Sequence, residues 1–147
     1  MSAPPPDDPY DLARFVAAQA PSYGRALAEL RAGQKTTHWI WYVFPQLRGL
    51  GASPTAHRFG IAGSEEARAY LAHETLGPRL RAASEAVLAH AGAKSAQAIL
   101  GSPDDLKLRS SMTLFERAAD AHAPFGAVLD AFYDGERDQK TLDLLGL

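Results

Sequence analysis

Cysteine is absent from the 147-residue sequence. Its absence excludes disulfide bonds, zinc sites built on thiolates and catalysis by a cysteine nucleophile. Long apolar runs are missing too, because no segment reaches the roughly 18 residues that a bilayer-spanning helix needs. Residues 1–8 carry neither the basic start nor the apolar run of a secretion signal. We therefore expect a soluble cytoplasmic protein without membrane contacts.

A strong charge of either sign is lacking as well. Lys and Arg together number 15 against 17 Asp and Glu, which gives a formal net charge of −2. A dedicated nucleic-acid-binding protein needs a basic face to attract phosphates, so this class is not expected. The five histidines follow none of the spacings of zinc sites, and the Gly-Lys-Ser/Thr motif of phosphate-binding loops is missing. The sequence thus predicts neither a metal nor another cofactor.

The pattern that is present is that of amphipathic helices. Apolar residues recur at spacings of three and four along most of the chain. Ser102-Pro103-Asp104-Asp105 is the clearest helix start, with a capping serine, a proline and acids for the first turn. We predict an all-α, compact single domain of eight or nine short helices around a buried aromatic segment. This domain covers residues 9–147, its first helix begins at Pro9, and residues 1–8 form a disordered lead-in.

The aromatic segment, which we define as residues 35–51, contains both tryptophans and an uncharged run from Trp39 to Pro45. Such a run is costly to expose, so it belongs in the core or in the wall of a pocket. Its periodicity fits helix and strand equally. Aromatic and β-branched residues favour a strand, but few other segments could pair with one. We favour a buried two-turn helix that Thr37 caps and Pro45 ends.

The same aromatic segment provides the first candidate site. A histidine can carry a proton near neutral pH, tryptophan rings stack on planar ligands, and glycines let the backbone approach a ligand closely. We predict a catalytic role for His38 and ligand-binding roles for Lys35, Trp39, Trp41, Gln46, Gly49 and Gly51. The alternative is a core cluster in which His38 is hydrogen-bonded to a carbonyl group.

Three hydroxyl-bearing residues in the middle of the helix that begins at Asp104 form a second candidate site. Serine and threonine are not preferred inside helices, and here a lysine lies three and four positions before two serines, where it could activate one as a nucleophile. An arginine nearby could hold a phosphate or carboxylate through a forked contact. We predict catalytic roles for Ser110 and Ser111 and ligand-binding roles for Lys107, Arg109 and Thr113. The alternative is close helix packing with a surface ion pair between Asp105 and Arg109.

Both sites lie in motifs that resemble those of a bacterial domain-of-unknown-function family, whose members are sometimes labelled calpastatin. The first motif is His38-Trp39-x-Trp41-x-x-Phe44-Pro45-Gln46 with Gly49-Leu50-Gly51, and the second is Lys107-Leu108-x-Ser110-Ser111-Met112-Thr113-Leu114-Phe115. The resemblance covers nearly the whole chain after residue 9. It implies a compact helical domain and brings no established activity. The order of the motifs is also similar to that in a small helical family that acts on ADP-ribosyl and related N-glycosides.

We therefore hypothesise a pocket protein in which the two motifs converge, since each motif alone is incomplete. It would be a hydrolase acting on a nucleotide-like or ADP-ribose-like metabolite, with this small-molecule ligand as its partner. The alternative is a non-catalytic helical protein-interaction module whose motifs simply form the core.

Overall fold

Residues 7–147 are described by the computed structural model of the chain. They form ten helices and one isolated β-bridge between Leu47 and Ile61. The helices are α1 (Ala13–Gln19), α2 (Tyr23–Ala32), α3 (Ile40–Val43), α4 (Pro54–Arg58), α5 (Ser64–Ala72), α6 (Leu76–Leu88), α7 (Ala96–Leu100), α8 (Asp104–Ala118), α9 (Phe125–Phe132) and α10 (Gln139–Leu144). The all-α prediction is confirmed. The count exceeds eight or nine because short pieces such as α4 form separate helices.

Helix α8 is the central element of the domain and packs against α3, α5, α7, α9 and α10. Its residues Leu108, Met112 and Phe115 are fully buried, because their spacing places them on one face. An aromatic chain crosses the core through Phe115: its ring centroid lies 5.2 Å from that of Tyr70 and 6.0 Å from that of Phe125. Such contacts add to the burial of apolar area that holds the domain together.

The first helix begins later than predicted. The structure describes Asp8 but not residues 1–6, so most of the predicted disordered lead-in lies outside the described residues. The Asp8 carboxylate accepts hydrogen bonds from the backbone N–H groups of Leu12 (2.8 Å) and Ala13 (3.0 Å). Asp11 has a φ of 52°, which interrupts a right-handed helix. The predicted start at Pro9 is therefore wrong, and α1 begins at Ala13.

The aromatic segment contains a helix of four residues, Ile40–Val43, rather than the predicted two-turn helix. The predicted cap is also wrong, because the Thr37 hydroxyl donates to the side chain of Glu29 (2.7 Å) and accepts from no backbone N–H at the start of α3. After Pro45 the chain turns back, and the backbone N–H of Arg48 donates to the carbonyl oxygen of Ile61 (2.7 Å). This bridge fixes where the Gly49-Leu50-Gly51 turn leaves the core.

Among the described residues, every helix is too short or too polar to span a membrane. Helix α8, the longest, has 15 residues, whereas a transmembrane helix needs about 20.

Candidate functional site

Glu29, near the end of α2, organises the start of the aromatic segment. Its Oε1 accepts hydrogen bonds from the backbone N–H groups of Thr36 (2.9 Å) and Thr37 (3.1 Å) and from the indole Nε1 of Trp39 (2.9 Å). Burial raises the pKa of this carboxyl group, but these donors and the Thr37 hydroxyl outweigh burial and lower the pKa to about 2. The charged carboxylate therefore fixes residues 36–39 in one conformation.

Because its indole is bound to Glu29, Trp39 is 1% exposed and belongs to the core. The predicted ligand-binding role of Trp39 thus falls on a buried side chain, as the core-cluster alternative expects. That alternative does not describe His38, whose side chain is exposed to solvent. Trp41 is half-buried. The segment therefore sends one indole inward and leaves the other at the surface.

The two sequence motifs meet at Asp104, the first residue of α8. Its Oδ2 lies 2.9 Å from the Nζ of Lys35, and its Oδ1 lies 3.5 Å from the Nζ of Lys107. The Lys35 ammonium lies 5.1 Å from the ring centroid of Trp39, and the Lys107 ammonium lies 5.1 Å from that of Trp41. We call this arrangement the Asp104 bridge. It brings together the lysines of both predicted sites through an acid that neither site included.

A surface cleft of about 490 Å³ lies beside α8 on one side of the Asp104 bridge. We call it the α8 cleft. Its lining residues come from the aromatic segment, the first half of α8 and the start of α10, and they are Gln46, Leu50, Gly51, Pro103, Leu106, Lys107, Arg109, Ser110, Asp138, Gln139 and Lys140. The cleft thus gathers five residues of the two predicted sites.

Charge in the α8 cleft is mostly positive, because Lys107, Arg109 and Lys140 face the single carboxylate of Asp138. The Arg109 guanidinium lies 3.7 Å from Asp138 and 3.9 Å from Glu136, distances longer than a hydrogen bond. Its Nε is buried and has no hydrogen-bond partner among residues 7–147. The acids nearest to Arg109 are thus Asp138 and Glu136, and not Asp105 as the alternative predicted. Because the Arg109 side chain is 28% exposed, its Nη groups retain donor capacity for an acceptor in the cleft.

A second cleft of about 380 Å³ lies on the other side of the bridge. We call it the Trp41 cleft. It is lined by Lys35, Thr36, His38, Ile40, Trp41, Leu100, Ser102, Pro103 and Asp104. Pro103 lines both clefts. His38 and Ser110, the histidine and one serine of the predicted catalytic set, therefore line neighbouring clefts and not the same one.

Ser111 and Thr113 lie in the core and line neither of these clefts. The Thr113 hydroxyl donates to the carbonyl oxygen of Arg109 (2.8 Å) and accepts from the backbone N–H of Asp138 (2.9 Å). Thr113 thus holds the start of α10 against α8. Ser111 is fully buried, so its predicted catalytic role would require a hydroxyl that a substrate cannot reach in this structure.

Gly49 also lies outside the lining of both clefts. It has a φ of 108°, a backbone conformation that favours glycine. A Cβ added there would lie 3.7 Å from the Leu144 side chain. Gly49 therefore has a structural role: it permits the turn that carries Leu50 and Gly51 into the α8 cleft.

Sequence reasoning missed the roles of three residues at this site. By its sequence pattern Asp104 is only a helix-start acid, and the pattern assigns no site role to Glu29. Asp138, which caps α10 by accepting from the N–H and hydroxyl groups of Thr141, has no predicted site role either. A signal for Glu29 was present, because an acid next to the apolar stripe of α2 is buried only if donors satisfy it. Among residues 7–147, no group of three or more histidines and acids is placed to hold a metal ion.

Comparison with known proteins places these features in a family. The sequence pattern of the family described as "Protein of unknown function (DUF1810)" matches residues 9–145. A crystal structure at 1.38 Å of the conserved hypothetical protein Rv1873 from Mycobacterium tuberculosis is 55% identical in sequence. The match covers 95% of this chain and 99% of that one, with a TM-score of 0.92. No curated protein matches the sequence.

Proposed function

This chain belongs to the DUF1810 family of proteins of unknown function, and from its own geometry we propose that it binds a small phosphate-bearing metabolite in the α8 cleft. The observation that carries this proposal is the Arg109 guanidinium. It lies in a cleft with two lysines, and its buried Nε lacks a hydrogen-bond partner within the described residues. The Arg109 side chain is 28% exposed, and its Nη groups lie no closer than 3.7 Å to the neighbouring carboxylates, so these groups can donate to a phosphate oxygen.

The remaining lining of the α8 cleft suits a ligand that also has uncharged parts. Gln46 and Gln139 provide amides that donate and accept, and Ser110 provides a hydroxyl. Leu50 and Leu106 provide apolar contact area. Small-molecule sites combine apolar walls with a few polar groups in volumes of roughly 300–1,000 Å³, and the α8 cleft has about 490 Å³. Nucleotides and ADP-ribose are metabolites with this mixture of groups.

Hydrolysis is the less supported part of the hypothesis. A serine nucleophile needs a base within hydrogen-bond reach, and the Ser110 hydroxyl instead donates to the carbonyl oxygen of Leu106 (3.2 Å). Lys107, the activating group that the sequence suggests, is paired with Asp104. His38 is exposed in the neighbouring cleft and is the better candidate for proton transfer. Our proposal is therefore one of ligand binding, and catalysis is tested separately.

The alternative of a protein-interaction module would depend on exposed apolar side chains. Three large ones are present: Leu106 at 49%, Leu144 at 55% and Leu147 at 59% exposure. Single exposed leucines are normal on monomeric proteins and do not by themselves indicate a docking surface. Leu106 also lines the α8 cleft, where a small ligand would cover it.

A thermal-shift experiment with inorganic phosphate, AMP, ADP-ribose and NAD tests the binding proposal. A ligand at 100 times its dissociation constant stabilises the fold by about 2.7 kcal/mol, a shift of roughly 5–10 °C for a domain of this size. Arg109→Gln should abolish the shift. Arg117→Gln, a control at an exposed position on the same helix, should retain it.

The proposal fails if no phosphate-bearing compound shifts the wild type, or if both arginine variants respond equally. In the first case, the interaction module becomes the better explanation. Release of nicotinamide from NAD, followed by NMR in the same samples, tests catalysis independently of binding. Activity that His38→Ala removes while binding persists would support the hydrolase hypothesis.

A further inference from the structure

We propose that the Trp41 cleft is a subsite for an uncharged aromatic ring, so that the ligand is a nucleotide whose base lies against Trp41 while its phosphate lies in the α8 cleft. This inference rests on the proposed function, because it requires a phosphate-bearing ligand. Beyond the proposed function, it identifies an aromatic ring as the second group of the ligand and Trp41 as the residue that recognises this ring.

The two clefts adjoin each other at residues that contact both. Pro103 lines both clefts. Lys107 lines the α8 cleft, while its ammonium lies 5.1 Å from the centroid of the Trp41 ring, which lines the other. A phosphate held by Lys107 therefore has Trp41 as its neighbour.

The charge of the Trp41 cleft decides against a second phosphate there. Its one lysine, Lys35, lies 2.9 Å from the carboxylate of Asp104, and the Lys35 side chain is only 6% exposed. The charge of Lys35 is therefore both neutralised and covered, and the other basic side chain of the lining, His38, is exposed to solvent. Asp104 also lines the cleft, and its ionised carboxylate only accepts hydrogen bonds, so it offers a phosphate no donor. The preferred occupant is uncharged.

The walls of the Trp41 cleft match a flat ring with a polar edge. Ile40, Leu100 and Pro103 provide apolar surface beside the indole of Trp41. Thr36 and Ser102 provide groups that both donate and accept hydrogen bonds. A nucleobase has two apolar faces and a rim of donors and acceptors, and it stacks on aromatic side chains. Trp41 is the aromatic side chain of this lining. The Lys107 ammonium lies over one face of its ring, so the base would stack on the other face.

Titration calorimetry with ribose 5-phosphate and AMP separates the two subsites, because these compounds share the sugar phosphate and differ by the base. We expect AMP to bind between about fivefold and 150-fold more tightly. Trp41→Leu should remove this gain and leave ribose 5-phosphate binding unchanged. Trp41→Phe, which retains a ring, should keep most of the gain. Arg109→Gln should weaken the binding of both compounds.

Equal affinities for AMP and ribose 5-phosphate would overturn the ring subsite and leave the proposed function intact. An equal loss of affinity for both compounds in Trp41→Leu would also overturn the ring subsite. If neither compound binds to the wild type, the proposed function fails together with the subsite.

Fluorescence provides a second test that does not depend on the folding of Trp41→Leu. The chain has two tryptophans, and Trp39 is 1% exposed, so a stacked base should quench the emission of Trp41 alone. AMP should therefore quench the wild type partially and leave Trp41→Phe unquenched. Ribose 5-phosphate should quench neither. Quenching that persists in Trp41→Phe would place the base elsewhere and overturn the inference.

Discussion

The indole Nε1 of Trp39 donates to the same carboxylate oxygen of Glu29 that accepts the backbone N–H groups of Thr36 and Thr37. One buried anion thus determines the path of the chain between α2 and α3. It also determines which of the two tryptophans faces the core. The positions of His38 and Trp41 at the surface therefore depend on the Glu29 carboxylate, although this carboxylate lines neither cleft.

Glu29 should make the stability of the domain depend on acid pH. Its pKa is lowered to about 2 in the folded state, from an ordinary value of 4.5. The charged form is therefore favoured by folding, and its contribution is complete above pH about 5 and is lost as the pH falls towards 2. The shift corresponds to about 3 kcal/mol. Urea unfolding measured across this pH range would show the loss.

Glu29→Gln is the informative variant, because an amide keeps the size and one acceptor oxygen but has no charge to titrate. It should be less stable than the wild type at pH 7 by about 1–3 kcal/mol and should show a shallower decline between pH 5 and 2. Glu85→Gln, at an exposed position of α6, should decline with the wild-type slope. An unchanged slope in Glu29→Gln would mean that other carboxylates cause the acid sensitivity.

Gly77→Ala should destabilise the fold by about 2–3 kcal/mol through overpacking. A Cβ at this position would lie 2.1 Å from the carbonyl oxygen of Leu71, where α5 ends against the start of α6. Gly24→Ala is a matched control, because a Cβ there meets nothing within 4 Å. It should be neutral or stabilising by up to about 1 kcal/mol. Thermal unfolding of both variants checks the contrast, and a similar melting temperature for the two would contradict it.

Ser111→Ala and Thr113→Val should have opposite effects although both remove a buried hydroxyl from α8. The Ser111 hydroxyl has no partner in the described part of the chain, so its removal should be neutral or stabilising. Removal of the Thr113 hydroxyl leaves the N–H of Asp138 without its acceptor and should cost about 1–3 kcal/mol. Chemical denaturation measures both values. Loss of turnover in a stable Ser111→Ala protein that still binds its ligand would instead support the predicted catalytic role.

Arg14→Lys should destabilise the domain by about 2–4 kcal/mol although the charge is kept. The Arg14 guanidinium donates to the carbonyl oxygens of Tyr10, Arg58 and Gly60 and to the carboxylate of Glu66. A lysine has one nitrogen and cannot reach these acceptors together. The side chain of Glu66 is 3% exposed, so solvent cannot replace the lost donors.

The control for Arg14 is Arg31→Lys, at an exposed position in the last turn of α2. It should change the free energy of unfolding by less than about 0.5 kcal/mol. Equal effects of the two substitutions, measured by urea unfolding, would show that the number of donor groups at position 14 is unimportant.

The sequence predicted well what depends on local periodicity. The buried stripe of α8 follows directly from the spacing of Leu108, Met112 and Phe115. The same spacing also predicts which of the two neighbouring serines is buried. Ser111 lies three positions after Leu108 and four before Phe115, so it faces the core. Ser110, one residue and about 100° around the helix, faces the α8 cleft.

Contacts between residues far apart in the chain could not be predicted in this way. Thr37 is a reasonable helix cap by local pattern, but a buried carboxylate from α2 binds its hydroxyl more favourably. Asp104 matches a first-turn acid, and no local pattern shows that Lys35 approaches it from another part of the fold. The convergence of the two motifs could therefore be expected from the sequence, but not the acid at which they meet.

The lining of the α8 cleft combines the central helix with Leu50 and Gly51 of the Gly49-Leu50-Gly51 turn. Backbone amides in the buried part of α8 should exchange with deuterium only when the whole domain opens, whereas those of the turn should exchange through local opening. We therefore expect the cations on α8 to keep their positions when the turn opens locally. Ligands of different size would then share one anchoring point without any rearrangement of the core.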